Sequence, residues 1–224
     1  MEKNNLKAVV FDLDGVLTDS AKYHYQAWKM LADKLGIPFD EEYNEKLKGV
    51  SRMESLELIL QNGNAQDKYT QEEKVAMATE KNEFYKQLIH QITPEDVLPG
   101  IHDFLEQLKA ARIKTAVASV SHNAPFILER LELDKYFDYI CDAAQVPRAK
   151  PFPDIFLSAA QNLGVEPANC IGVEDAQAGI QAINAAGMMS VGVGTESQMQ
   201  EAKLILPSTA KLGLGMLKEY FQLA

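Results

Sequence analysis

Ala8-Val9-Val10-Phe11-Asp12-Leu13-Asp14-Gly15-Val16-Leu17-Thr18-Asp19-Ser20 is the stretch from which the rest of the chain is read. Its first four residues are apolar without alternation, which predicts a strand buried on both faces, as in a parallel sheet. The run stops at Asp12, and Asp14 follows two residues later. A strand's period of two sends both carboxylates to one side, and Gly15 lets the backbone turn away. Two acids at the mouth of a buried strand repel each other and lose hydration, so a cation or a shared proton is expected there. Open α/β sheets bind ligands outside the carboxyl ends of their strands, which is where this pair falls. Taken alone, Asp-x-Asp-Gly is also an ordinary polar turn, so the reading depends on the sequence further along.

For a hundred residues after Phe11 the apolar spacing is helical and no strand pattern appears. His24, Trp28, Leu31 and Leu35 recur at three- and four-residue steps before Gly36 and Pro38. A second helix is expected over 41–47. A third follows Ser51, with Met53, Leu56, Ile59 and Leu60 as its stripe, and Asn62-Gly63-Asn64 closes it. A fourth is expected over 71–92, carrying Val75, Ala78, Phe84 and Leu88. One crossover helix suffices for a parallel βαβ unit, so four helices are read as an insertion over residues 20–91. Hinges are expected at 18–21 and 93–99. From Pro99 helices alternate with strands at 115–118, 139–141, 170–173, 190–193 and 204–205, with a last helix at 212–221. That alternation predicts a doubly wound, mostly parallel, Rossmann-like sheet made of residues 1–19 and 92–224, carrying an inserted four-helix cap. Asp12 and Asp14, Ser119 and Ser121, Lys150, and Glu174 with Asp175 should then gather on one sheet edge.

With 224 residues, 46% hydrophobic and 24% charged, the chain can build a substantial core. Its net charge of −10 argues against nucleic acid and anionic membranes as partners, so an anionic substrate would need local cations and backbone amides. No apolar stretch near Met1 suggests a signal peptide, and Cys141 and Cys170 lack metal-type neighbours. A cytoplasmic protein with reduced thiols is expected. A monomer is expected too, since no apolar stripe is left unassigned.

The ordered blocks strand–Asp-x-Asp-Gly, strand–Ser-x-Ser, Lys150-Pro151 opening a helix, and strand–Gly-Val-Glu-Asp together resemble the haloacid dehalogenase superfamily of phosphotransferases. The match spans the whole chain in order. Within it, the inserted helices with Leu47-Lys48-Gly49-Val50-Ser51-Arg52, His24 and the 119–123 block resemble the sugar-phosphate mutases of that superfamily. Val120 is a departure, because a smaller residue is expected between the two serines; its backbone amide is unchanged, so altered packing is expected, not lost chemistry.

The resemblance implies Asp12 as a nucleophile that becomes an aspartyl phosphate, and Asp14 as general acid and base. It implies Mg²⁺, which suits hard oxygen ligands and the absence of a His or Cys cluster. Asp12 and Asp175 would hold it by side chain, Asp14 by its main-chain carbonyl, and Glu174 directly or through water. Glu174-Asp175 alone would equally serve as a helix N-terminal pair. Lys150 would balance the acids and Ser119 would donate to the transferring phosphoryl group. Amides around Val120 and Ser121 would add an anion nest, and Asn123 would orient Asp12's surroundings or the phosphate.

Lys48, Gly49, Val50, Ser51 and Arg52 have the chemistry of a second phosphate grip, although a Gly-Ser helix start with two solvated cations reads the same way. His24 is either a core histidine or the residue that reports cap closure to Asp14. Lys81 either completes that network or faces solvent. The implied reaction interconverts β-D-glucose 1-phosphate and β-D-glucose 6-phosphate through β-D-glucose 1,6-bisphosphate. A sugar-phosphate phosphatase of the same superfamily is the alternative, and a non-catalytic sugar-phosphate binder is a more distant one.

Overall fold

The computed structural model describes residues 5–48 and 50–223. Six parallel strands form one sheet: β1 (Ala8–Phe11), β2 (Lys114–Val117), β3 (Tyr139–Ile140), β4 (Cys170–Glu174), β5 (Met189–Val193) and β6 (Leu204–Leu206). They lie in the order β3-β2-β1-β4-β5-β6. The chain winds outward from β1 in one direction and resumes at β4 in the other, so the β1–β4 boundary is the topological switch point. β1 and β4 are buried throughout, as their unbroken apolar runs require.

Register places the loops that matter side by side. Phe11 stands opposite Val117 and Val173. The Asp12 N–H therefore donates to the Val173 carbonyl at 2.9 Å, and the Ala118 N–H donates to the Phe11 carbonyl at 2.7 Å. The next residues are Asp12, Ala118 and Glu174, the last still paired with β5, and Ser119 follows Ala118 at the end of β2.

Each face of the sheet is covered by helices. On one side Phe11, Val117 and Val173 pack with α5 (Ile101–Ala110), α6 (Ala124–Arg130) and residues of the C-terminal helix α9 (Leu214–Tyr220). On the other, Val10 and Ala116 pack with α7 (Asp154–Leu163) and α8 (Gln177–Ala185). Between β1 and α5 lie α1 (Ala21–Leu35), α2 (Glu41–Asn44) with a 3-10 turn at Glu45–Leu47, α3 (Arg52–Asn62) and α4 (Gln71–Ile89). Trp28, Leu31, Leu56, Ile59 and Ala78 give these helices a core of their own. Gly36 takes the left-handed conformation that ends α1 (φ 67°), while Ser51–Glu54 and Thr70–Glu73 form capping boxes that start α3 and α4. The two crossings into this helical unit are tied together. The Leu98 N–H donates to the Leu17 carbonyl at 2.9 Å, and the Thr18 hydroxyl donates to the Asp96 carbonyl at 2.8 Å.

Most of the expected elements occur, and the differences fall in α4. α4 stops at Ile89 rather than near 92, because the 3.1 Å bonds from Gln91 to Leu88 and from Ile92 to Ile89 tighten the chain ahead of Pro94. Its stripe is also different. Val75 is exposed, and the buried face is Ala78, Lys81, Asn82, Tyr85 and Ile89. A helix that turns a lysine and an asparagine inward must be facing something polar, and that something is the site described next. Tyr85 and Ile89 belong to the main core cluster, so the base of the helical unit is continuous with the sheet domain.

Candidate active site

A cavity of about 490 Å³ lies over the carboxyl end of the sheet, a size suited to a small polar metabolite. The core side of its wall includes Asp12, Asp14, Asp175 and Val120, Ser121, His122 and Asn123. The helical unit contributes His24, Trp28, Lys48, Val50, Ser51, Arg52, Lys81 and Asn82, and the 143–152 loop closes one side with Arg148 and Phe152.

At its floor, oxygens of Asp12, Glu174 and Asp175 lie within 4.8 Å of one another. Lys150 donates to Asp12 Oδ1 at 2.6 Å and reaches Glu174 Oε1 at 3.4 Å, with its own side chain fully buried. Burial works against the ammonium, but the facing Asp12 and Glu174 outweigh it and hold the Lys150 pKa above its ordinary value. One cation cannot balance three carboxylates. Burial, then repulsion from Asp12, pushes Glu174 well above the carboxylate range and raises Asp175 to about 7. Glu174 is fully buried and its Oε2 has no hydrogen-bond partner among the described residues. Three crowded carboxylates, an orphaned buried oxygen and all-oxygen donors fit a hard divalent cation.

Asp14 stands apart from that cluster. The Ser20 hydroxyl donates to its Oδ1, and His24 Nε2 lies 3.8 Å from Oδ2. Burial, with Asp12 adding repulsion, raises Asp14 to about 6. His24 is no ordinary core histidine: its ring stacks on Tyr85 at 4.0 Å, and Nδ1 lies 2.9 Å from Lys81 Nζ. Burial, reinforced by Lys81 and Arg52, takes its pKa well below the usual histidine value, so the ring is neutral. When Lys81 is an ammonium it donates to Nδ1, and the ring proton is then on Nε2, facing Asp14. Lys81 is 2% exposed and sits over both the Trp28 ring (4.5 Å) and the Tyr85 ring (4.8 Å). Burial, then Arg52, lowers it to about 7.

The other expected residues divide. Ser119 is buried, its oxygen accepting from the Ser121 N–H at 3.1 Å. Val120 packs on the core that Val10 and Ala116 form with α7 and α8, and still lines the cavity. Asn123 Nδ2 donates to Asn82 Oδ1 at 3.1 Å, a link between the core loop and α4. Ser51 caps α3, and Lys48 turns toward the acids, 3.9 Å from Asp175 Oδ2. Arg52 is half-buried, lines the cavity and pairs with no carboxylate among the described residues. Gly49 lies outside the described residues.

Sequence reasoning missed Ser20, Asn82, Tyr85, His122 and Arg148. Ser20 offered a signal, since it precedes α1 without the acid three residues on that Ser51 and Thr70 possess; its side chain does not cap the helix but goes to Asp14. Arg148 is held by Asp154 through two bonds (3.1 and 2.8 Å) and lies over the Phe152 ring.

Three comparisons bear on this arrangement. The profile of the haloacid dehalogenase-like hydrolases matches residues 6–187. The β-phosphoglucomutase of Bacillus subtilis is 51% identical over 217 residues, 97% of this chain and 96% of that one. A Thermotoga maritima phosphorylated carbohydrates phosphatase is 30% identical, over 92% of each. The crystal structure of a Clostridium difficile β-phosphoglucomutase superposes with a TM-score of 0.95 at 49% identity, covering 97% of both chains. Its acid-and-lysine floor at the switch point, its inserted helices and these likenesses place the chain in the haloacid dehalogenase-like hydrolases and, within them, in the β-phosphoglucomutase family.

Proposed function

We propose that the chain is a Mg²⁺-dependent phosphotransferase that interconverts β-D-glucose 1-phosphate and β-D-glucose 6-phosphate, with β-D-glucose 1,6-bisphosphate as intermediate and activator. One observation carries the reading. A single cavity is lined by the Asp12, Asp14 and Asp175 carboxylates of the core and by Arg52, which makes no salt bridge among the described residues, beside Ser51 on the inserted helices. A substrate with a phosphate at each end needs that combination of a transfer point and a separate grip.

In this mechanism a carboxylate oxygen of Asp12 attacks the phosphorus of the bisphosphate. The bond to the sugar oxygen breaks, and Asp14 gives its proton to that oxygen. In the reverse direction Asp14 takes a proton from the sugar hydroxyl as the phosphoryl group leaves Asp12. A pKa of about 6 suits a group that must act both ways near neutral pH. Held by Asp12, Asp175 and Asp14's main-chain carbonyl, with Glu174 beside them, Mg²⁺ would neutralise charge on the transferring phosphoryl oxygens. Lys150 keeps Asp12 oriented, and amides near Val120 and Ser121, with the Ser119 hydroxyl, form the anion nest. Residues 20–91 act as a lid. Ser20 at the hinge and the Lys81–His24 pair on the lid both address Asp14, so lid position governs when that acid can act, and water is a poor acceptor while the lid is open.

The direct test follows phosphorus signals during incubation with β-glucose 1-phosphate and a trace of bisphosphate. Accumulation of the 6-phosphate supports the mutase; free phosphate as the main product favours the phosphatase named for the Thermotoga relative. Arg52→Ala should lower mutase turnover ~10²-fold or more while Asp12 is still phosphorylated by acetyl phosphate. Equal loss of both activities would remove Arg52 from the distal-phosphate role.

Metal binding should depend on pH with a definite sign. Asp175 is raised to about 7, so below that pH a proton competes for its carboxylate. Mg²⁺ affinity should therefore rise from pH 5.5 through about 7, with proton release on binding. Calorimetry in buffers of different ionisation enthalpy measures both, and a flat affinity over that range would contradict the assignment.

A further inference from the structure

Glu174 is the most confined of the proposed ligands, and a glycine confines it. After β4 the chain turns through Asp175 and Ala176 into α8, which brings Gly179 back over the Glu174 side chain. A Cβ built on Gly179 would come closer than 3.0 Å to Glu174 Oε1, Cδ and Cγ, and these are its three nearest neighbours. Gly172, two residues earlier in β4, is different, because there the three nearest atoms to a Cβ belong to the apolar Ile183. Nothing in α8 itself calls for glycine at 179. The position is the third residue of α8, and glycine is the poorest helix former after proline. The space is occupied by a carboxylate instead.

We propose that the absent side chain at Gly179 is the mould for the Glu174 carboxylate, and that Gly179 thereby sets the cation affinity of the acid cluster without touching the cation. The inference rests on the reading of Asp12, Glu174 and Asp175 as ligands. Three features agree. Glu174 is fully buried, it keeps one oxygen on Lys150 at 3.4 Å, and its other oxygen has no partner among the described residues. A side chain at 179 would move that carboxylate as a whole, disturbing the Lys150 contact and the group of oxygens around the cation together. Gly15 does the same for Asp175, since a Cβ there would meet Asp175 Oδ2 and Cγ. Its φ of 79° would strain any replacement, so position 179 gives the cleaner test.

The test is Gly179→Ala in the full chain, alone and with Glu174→Ala, with Mg²⁺ binding measured by calorimetry and unfolding measured without metal. The single variant should raise the Mg²⁺ Kd about 10-fold or more and lower the metal-free Tm. In the Glu174→Ala background the same alanine should leave Kd unchanged and raise the metal-free Tm by about 2–4 °C, because helix propensity then acts alone. An unchanged Kd for Gly179→Ala, where Glu174→Ala weakens binding, would overturn the mould. So would the same loss of affinity in both backgrounds. A Kd unmoved by Glu174→Ala would overturn the ligand reading and the inference with it. Should the single variant fail to fold, folding of the double variant supports the mould and its failure refutes it.

Discussion

Asp12→Asn should reduce turnover at least ~10⁴-fold and abolish labelling of the protein by a phosphoryl donor, with the fold retained. An amide occupies nearly the same volume as the carboxylate and can still accept from Lys150, which lies 2.6 Å away in the wild type. It cannot act as the nucleophile. Removing one negative charge also relieves repulsion on Glu174 and Asp175, both of which Asp12 raises. The variant should thus be at least as stable as the wild type without metal, so lost activity could not be blamed on unfolding. The measurement is trapping with labelled acetyl phosphate and Mg²⁺, followed by peptide mapping. Label on any residue other than Asp12 in the wild type, or label persisting in Asp12→Asn, would refute the mechanism.

Lys150→Ala should cost about 3–5 kcal/mol of stability at pH 8 without metal, read from the midpoint of urea unfolding. The lysine side chain is fully buried between Asp12 and Glu174, and its removal leaves buried carboxylates without a cation. The sign with pH follows from the two kinds of shift. Lys150 has a folded pKa above its ordinary value, so its contribution is complete below pH 10.5 and is lost only as pH rises through the raised value. The deficit should therefore be flat between pH 8 and 9. It should shrink as pH falls below about 7, where Asp175 takes up a proton and needs less compensation. Mg²⁺ should shrink it too. A deficit under about 1 kcal/mol at pH 8 would mean that the acids carry protons rather than facing the ammonium.

Much of this protein could be read locally. An unbroken apolar run has only one economical home, the middle of a parallel sheet, and β1 and β4 lie there with acids at their ends. Gly36, Ser51 and Thr70 mark their helix ends through bonds made within one turn, so they too were legible from the chain. Local patterns misled where a residue answers to a distant partner. In α4, Val75 fits an apolar stripe yet is exposed, whereas Lys81 and Asn82 look like surface residues and are buried. Their partners are His24 in α1 and Asn123 in the core, 57 and 41 positions away.

The strands and the capped helices were legible from the chain alone, because they follow from hydrophobic burial and short-range hydrogen bonds, whereas the acids and the lysine were singled out by the order of their motifs and the family resemblance. Only the tertiary structure decided which polar groups face one another: Ser20 and His24 toward Asp14, Lys81 between two aromatic rings, and Glu174 inside the hollow left by Gly179. The reason is physical. A buried polar group takes whatever partner the approach of separate elements supplies, and that approach has no signature in the spacing of residues along one of them.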